Sequence, residues 1–423
     1  MTSKNTNRSE ASEAHPTERE LLSEKEFEEA LRFEKGEGVE KDMKKAFEWF
    51  LKSAENGNAK AMNRVGGCFE NGEGVAQDKT KAFEWFLKSA ENGSTDGMLD
   101  VGMCYFHGNG VTQDKTKAFE WWLKPAENGN AVAMNNVGGC FENGEGVTQD
   151  KTKAFEWCLK GAENGNADAM NNVGWCYFNG NGVTQNLTKA FEWYLKSAEN
   201  GNAVAMNSVG WCFENGKGVT QDLTKAFEWY LKSAENGDAN AMEKVGWCYK
   251  KGKGVTKDKT KAFEWWLKSA ENGNVAAMNN AGICYEKGKG VTQDKTKAFE
   301  WYFESAENGY AHAMYNVAVC YHYGVCVTQS FTKAFEWWLK SASNGVGEAM
   351  EKVGWCFENG KGVRQDMKKA FEWYLKSAQN GDIAAMNKVA RCLCRGTGVS
   401  RDLKKAREWF AKASKKEQSQ KKQ

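Results

Sequence analysis

The chain has 423 residues, with 58 Lys+Arg against 56 Asp+Glu, a formal net charge of +2, and 18 Trp, 23 Phe and 12 Tyr to fill a core. The near-neutral balance gives no electrostatic case for a nucleic-acid binder, which usually shows a basic face, and no apolar run approaches the ~20 residues that span a bilayer. Thirteen cysteines, an odd count with no apolar leader ahead of them, read as reduced thiols of a cytosolic or nuclear protein.

In chain order, residues 1–20 form a polar leader, expected to be disordered, without the apolar stretch of a secretory signal. From Leu21 the chain becomes periodic. Methionine recurs every 36 residues from Met62 to Met386, cysteine from Cys68 to Cys392, and tryptophan from Trp49 to Trp409, with no insertion or deletion. The spacing predicts eleven units over residues 21–416. The first unit carries Glu26 and Arg32 at the methionine and cysteine registers, as a polar cap of a stacked array should.

Residues Asn58 to Gly93 give the pattern of every unit. "NAKAMNRVGGCFENG" predicts a first helix, A, stopped by glycine in the left-handed conformation. "EGVAQ" is a turn, and Asp78 caps a second helix, B, over "KTKAFEWFLKSAEN". Asp, Asn or Ser holds that cap register in all eleven units, including Asn186 and Ser330. A hairpin of two ~12-residue helices cannot bury its apolar face alone and must stack on neighbours. The predicted fold is therefore all-α, a right-handed α-α superhelix of about eleven helix-turn-helix repeats.

The run from Ala61 to Gly93, with its "NRVGGCFENGEGV" and "KAFEWFLKSAENG" and nine further copies, resembles the Sel1-like repeat, a relative of the tetratricopeptide repeat. The resemblance covers almost the whole chain. It implies an interaction scaffold, and it assigns helix A to a concave groove.

Successive helix residues turn by ~100°. On that wheel Ala61, Met62, Val65, Gly66, Cys68 and Phe69 share one arc, and the registers that vary between units (63, 64, 67, 70 and 71) share the opposite one. In helix B the expected buried stripe is Ala82, Phe83, Phe86, Leu87 and Ala90. Lys81, Glu84, Lys88 and Glu91 form its polar face, with Glu84 and Lys88 placed to pair and Trp85 at the boundary. The free arc of helix A supplies the candidate partner-binding residues Trp175, Phe178, Trp211, Glu214, Trp247, Lys250, Trp355 and Arg391. Exposed Trp and Arg are typical of binding hot spots. The same tryptophans could equally fill the space between adjacent A helices, and the sequence leaves both readings open.

Other chemistry fits less well. "GNGV" at Gly180–Val183 opens a helix as a phosphate loop does, but it lacks a preceding strand and the Lys-Ser/Thr of that motif, and it recurs in every unit. The cysteine ladder lies on the apolar arc and forms no C-x-x-C pair. A secreted branch of the resembled family staples helix A to helix B with two cysteines per repeat; here helix B has Ala90 and Ala198 at such positions, and a cysteine only at Cys158. One repeat departs from the rest: "YAHAMYNVAVCYHYGVCVTQS" brings His312, Cys320, His322 and Cys326 together in sequence. It reads as a drifted repeat, a local bend or a partner contact rather than a zinc site, because Cys320 belongs to the inward ladder. Pro125 suggests a kink in helix B of the third unit.

At the end of the array Arg407 replaces the usual Phe, a second cap, and residues 417–423 are a basic tail expected to be disordered. No metal, no cofactor and no catalytic constellation is expected. The function expected is a non-enzymatic, cytoplasmic and monomeric scaffold or adaptor that holds a peptide or protein surface, with no nucleic-acid or membrane partner. The alternatives are a secreted β-lactamase-like or penicillin-binding repeat protein, and a purely structural spacer.

Overall fold

The computed structural model describes residues 17–421. Among them are 22 helices and no strand, arranged as eleven helix pairs. The pairs are called here repeats 1 to 11, each with its helix A and helix B. The second repeat shows why the sequence folds this way. Asn58 accepts the N–H of Ala61 and starts helix A, Ala59–Asn71. Gly72 ends it at φ 76°, donating its N–H to the Cys68 carbonyl at 2.9 Å. Gln77 reaches back from the turn and donates to the Glu70 carbonyl at 2.7 Å, so another free end of helix A is satisfied. Asp78 then caps helix B, Lys79–Glu91, by accepting from Thr80 and Lys81.

Within a repeat, helix A presses a glycine against a large side chain of helix B. A Cβ on Gly66 would lie 2.5 Å from the Phe86 ring, so only glycine allows this approach. Ser89 is fully buried and donates to the Ala59 carbonyl at 2.7 Å, tying the end of helix B to the start of helix A. The same tie runs from Ser197 to Ala167, from Ser269 to Ala239 and from Ser341 to Ala311. Between repeats, a phenylalanine of helix B meets an aromatic ring of the next helix A edge-on. Phe83 and Tyr105 have centroids 5.3 Å apart at 80°, and Phe263 and Tyr285 5.1 Å apart at 82°. This is the preferred quadrupole geometry.

The chain divides into two compact units, residues 1–202 and 203–423. The first holds repeats 1–5. Its core runs through Phe50, Val65, Phe86 and Val101 and continues to Trp122, Val137 and Val173. The second holds repeats 6–11. It has its own core around Met278 and Trp266, and a larger one from Tyr302 through Trp338 and Tyr374 to Ala413.

Several sequence expectations change. Phe83 and Leu87 are only half-buried, and Ser89 takes a place in the core. Lys88 does not pair with Glu84; its ammonium lies 4.2 Å over the Trp85 ring, and Lys232 and Lys376 lie over Trp229 and Trp373 at 4.4 and 4.3 Å. A lysine three residues after an indole can keep its charge in water while its stem covers the ring. Helix B of repeat 3, Lys115–Glu127, runs through Pro125 with the same thirteen residues as its neighbours. The polar leader is helical from Glu18, with Thr17 and Glu20 forming a capping box; residues 1–16 lie outside the described residues. The tail expected to be disordered is helical as far as Lys421.

Candidate interaction face of the A helices

Neighbouring A helices lie side by side and are joined through the variable arc. Asn172 donates to Asn135 at 2.9 Å, Asn316 to Asn279 at 2.8 Å and Asn63 to Asp100 at 3.0 Å. Registers 63 and 64 make these three joins between A helices, and register 67 is exposed at Met103, Trp175, Trp211 and Arg391 but half-buried at Trp247, Ile283, Val319 and Trp355.

In the first unit, Trp175 is 42% exposed on helix A of repeat 5, Ala167–Asn179. Its carbonyl accepts from the Asn179 side chain at 3.0 Å. Phe178, one turn on, is half-buried. In the second unit, Trp211 is 37% exposed on helix A of repeat 6, Ala203–Asn215. Trp247, on helix A of repeat 7, Ala239–Lys251, is more enclosed. Its Nε1 donates to the Glu243 carboxylate, Lys250 stands 4.1 Å over its ring, and it meets the Trp266 ring edge-on at 5.4 Å. Trp355 is half-buried and packs its ring 5.4 Å from His322; Arg391 is exposed.

Glu214 and Lys250 are structural as well as superficial. Both stand at the register that faces helix B of the same repeat, sixteen residues on. Glu214 accepts from the Tyr230 hydroxyl at 2.9 Å and pairs with Lys253 at 2.8 Å. Burial raises its pKa, but the bonds from Lys253 and Tyr230 outweigh that and hold it below the ordinary carboxylate range. Glu286 with Tyr302 and Glu358 with Tyr374 repeat the pairing at 3.0 and 2.7 Å. Where helix B offers tryptophan instead, the partner is Phe106 over Trp122, Lys250 over Trp266, or His322 over Trp338.

The structure thus brings together Glu214, Trp247 and Lys250, and adds residues the sequence reading missed. Glu214, Tyr230, Lys244, Trp247, Cys248, Lys251 and Lys253 line a cavity of about 330 Å³ in the second unit. The signal for the lysines was present at the turn register. It reads Glu37, Glu73, Asn109, Glu145 and Asn181 in the first unit, and Lys217, Lys253, Lys289, Val325, Lys361 and Thr397 in the second.

The departing repeat 9 forms no ligand set. His322 is ringed by Tyr323, Phe331, Trp338 and Trp355, with centroids between 4.6 and 5.4 Å. Among the described residues, no group of three or more His, Cys, Asp or Glu side chains is placed to hold a metal ion. All thirteen cysteines are free thiols, eleven of them buried. Burial pushes Cys176 and Cys212 up to about 11 and Cys356 to about 12, which keeps them protonated and unreactive. Among the described residues no helix is long and apolar enough to cross a membrane.

A run of helix hairpins, packed on one another within each unit, defines the α-solenoid class related to the tetratricopeptide repeat. The sequence profile of the Sel1 repeat matches eleven consecutive segments, from 30–58 and 59–94 through to 383–417, and the chain belongs to the Sel1 repeat family. Proteins built of these repeats generally serve as scaffolds for protein interaction. The chain is similar to c5321, a protective antigen of uropathogenic Escherichia coli strains with the same fold: 34% identity, TM-score 0.62, covering 94% of this chain and 87% of that one. It is also similar to a Sel1 repeat protein from Oxalobacter formigenes: 29% identity, TM-score 0.54, covering 59% of this chain and 99% of that one. No curated protein sequence matches closely enough to count as a relative.

Proposed function

We propose that the chain is a non-enzymatic scaffold or adaptor that holds a peptide or protein surface on the outward arc of its A helices. The observation that carries this reading is the exposed indole at register 67, found separately in each unit: Trp175 at 42% in the first and Trp211 at 37% in the second. The part of each indole left in water can supply large rigid area to an interface. Trp355 and Arg391 extend the same face within the second unit. The buried, protonated thiols suit a reducing compartment, so we place the scaffold in the cytoplasm, acting as a monomer.

The test is selection of binding peptides from a displayed library, followed by affinity measurement on Trp175→Ala, Trp211→Ala and the double variant. Loss of at least about tenfold in affinity, with the denaturation midpoint unchanged, is expected. Unchanged affinity across all three would return the tryptophans to a space-filling role. Turnover of nitrocefin by the purified chain would favour the β-lactamase-like alternative instead.

A further inference from the structure

The turn after each helix A reaches back to the preceding repeat. In the second unit Lys253 reaches Glu214 at 2.8 Å, and in the first unit Asn181 reaches Glu142 at 3.5 Å. The acceptor in both is a carboxylate at one fixed register of helix A. In the next repeat of the second unit that register is Lys250, and the residue reaching back from the following turn is Lys289. At these registers two lysines stand where the neighbouring repeat pairs a lysine with a carboxylate, and Lys250 itself lies 4.1 Å over the Trp247 ring and 5.2 Å over Trp266. Lys251 and Lys287 stand in the same field. Burial, together with Lys251, Lys289 and Lys287, pushes the Lys250 ammonium below its ordinary pKa, against an opposing influence from Cys284.

The nearby carboxylates are committed elsewhere. Glu243 takes the Trp247 N–H and pairs with Lys244 at 3.4 Å, and Glu286 takes the Tyr302 hydroxyl at 3.0 Å. Among the described residues Lys250, Lys251, Lys287 and Lys289 make no ion pair with a carboxylate, and Lys250 and Lys251 lie over the Trp247 ring at 4.1 and 5.6 Å. Such a cluster works against folding through like-charge repulsion, and it becomes favourable when an anion arrives.

We propose that Lys250, Lys251, Lys287 and Lys289 are the docking point for a carboxylate side chain of an acidic protein segment. That carboxylate supplies the counter-charge that Glu214 supplies to Lys253 one repeat earlier. The Trp247 face beside it takes the neighbouring apolar part of the same segment. Glu214, Glu243 and Glu286 flank the cluster and limit the length of anion it accepts, which suits a short run of carboxylates on a peptide better than a long polyphosphate chain. The proposal deepens the scaffold reading and rests on it, naming the charge class of the partner.

The test uses the full chain and a fluorescein-labelled hexaglutamate peptide, followed by anisotropy at about 50 mM salt, where screening is modest. Hexalysine and a short oligothymidine serve as comparators. Hexaglutamate should bind, and binding should weaken as salt rises. Lys250→Glu should weaken it at least about tenfold while raising the denaturation midpoint, because the new carboxylate pairs with Lys289 as Glu214 does with Lys253. Lys289→Glu should do the same from the other side. The proposal falls if wild type does not bind hexaglutamate, if both variants bind it as wild type does, or if oligothymidine binds more tightly and is lost in the same variants. The two readings separate cleanly. If Trp175→Ala and Trp211→Ala leave selected-peptide binding intact while Lys250→Glu abolishes hexaglutamate binding, the A-face reading fails alone. The opposite pattern removes only the acidic docking point.

Discussion

Asp100 is the acidic member of one of three hydrogen-bonded pairs between A helices, the other two of which join amide to amide. At the same registers Asn172 donates to Asn135, and Asn316 to Asn279. Asn63 donates to Asp100 in its turn, but the Oδ1 of Asn63 is buried with no partner, and a carboxylate can only accept. Burial pushes the Asp100 carboxyl up to about 6 from 3.8, Glu70 and Asp96 add to the rise, and the Asn63 bond opposes it. A folded-state pKa above the unfolded one means the folded chain holds the proton more tightly. Asp100 therefore weakens the fold above about pH 6, and the penalty fades as pH falls from there toward 3.8. Asp100→Asn removes the charge and adds a donor for Asn63 Oδ1. It should stabilise by about 1–2 kcal/mol at pH 8, with a smaller gain at pH 4.5, read from urea midpoints at the two pH values. A gain that does not shrink at low pH, or a loss at pH 8, would show that the carboxylate is not under strain.

At the scale of the helix pair, the packing that matters most is glycine against ring. Gly246 lies where a Cβ would come within 2.5 Å of Trp266 Nε1, which donates to the Glu243 carbonyl at 3.2 Å. Repeat 9 shows the outcome of filling that space: Ala318 stands at the glycine register, and Trp338 Nε1 is buried without a partner. Gly246→Ala should gain up to about 1 kcal/mol of helix propensity and lose about 1–3 kcal/mol to overpacking and the severed bond. The net loss is measurable in denaturant, with a changed near-ultraviolet tryptophan signal; a net gain would mean that the ring moves aside freely. Much of this level was legible in sequence. The six residues placed on the inner arc of helix A, from Ala61 to Phe69, are all buried. Asp78 and Gly72 end their helices as their chemistry dictates. What a single wheel could not show were pairings across a turn: Ser89 to a carbonyl thirty residues earlier, Glu214 to Tyr230, and Lys88 to an indole rather than to Glu84. For the same reason the wheel put all four tryptophans alike on the free arc and left their exposure open, whereas in the structure Trp175 and Trp211 are exposed and Trp247 and Trp355 are half-covered by Lys250 and His322, residues whose reach depends on the neighbouring helix.

For the molecule as a whole, stability is close to a sum over repeats and their interfaces, so the array opens first where that sum is smallest. Irregularities in the second unit concentrate at repeat 9, helices Ala311–Tyr323 and Phe331–Ser343. Its helix A starts at Tyr310, and the next helix A, Gly347–Asn359, at Val346; neither side chain caps the helix, where Asp238, Asn274 and Asp382 do so in the same unit. His322 Nδ1 and Trp338 Nε1 are buried without partners. Cys326 is the one described non-glycine residue at positive φ, 60°, in the turn of this repeat. At the equivalent glycines a Cβ would sit 2.0 Å from the Lys259 carbonyl oxygen (Gly290) or 2.0 Å from that of Phe331 (Gly362), so a cysteine forces the turn away from the preceding helix B. The cap missing at Tyr310 costs about 1 kcal/mol, and the strained turn about 1–3 kcal/mol. Amide hydrogen exchange in residues 310–346 should therefore be faster, at the same denaturant concentration, than in residues 239–274 or 347–382. Cys326→Gly should slow exchange in that segment by about fivefold to tenfold, for a gain near 1 kcal/mol, and leave residues 239–274 unchanged. Equal protection across these repeats, or a Cys326→Gly effect spread evenly over the unit, would mean that the six repeats unfold as one cooperative block and that repeat 9 is no weaker than its neighbours.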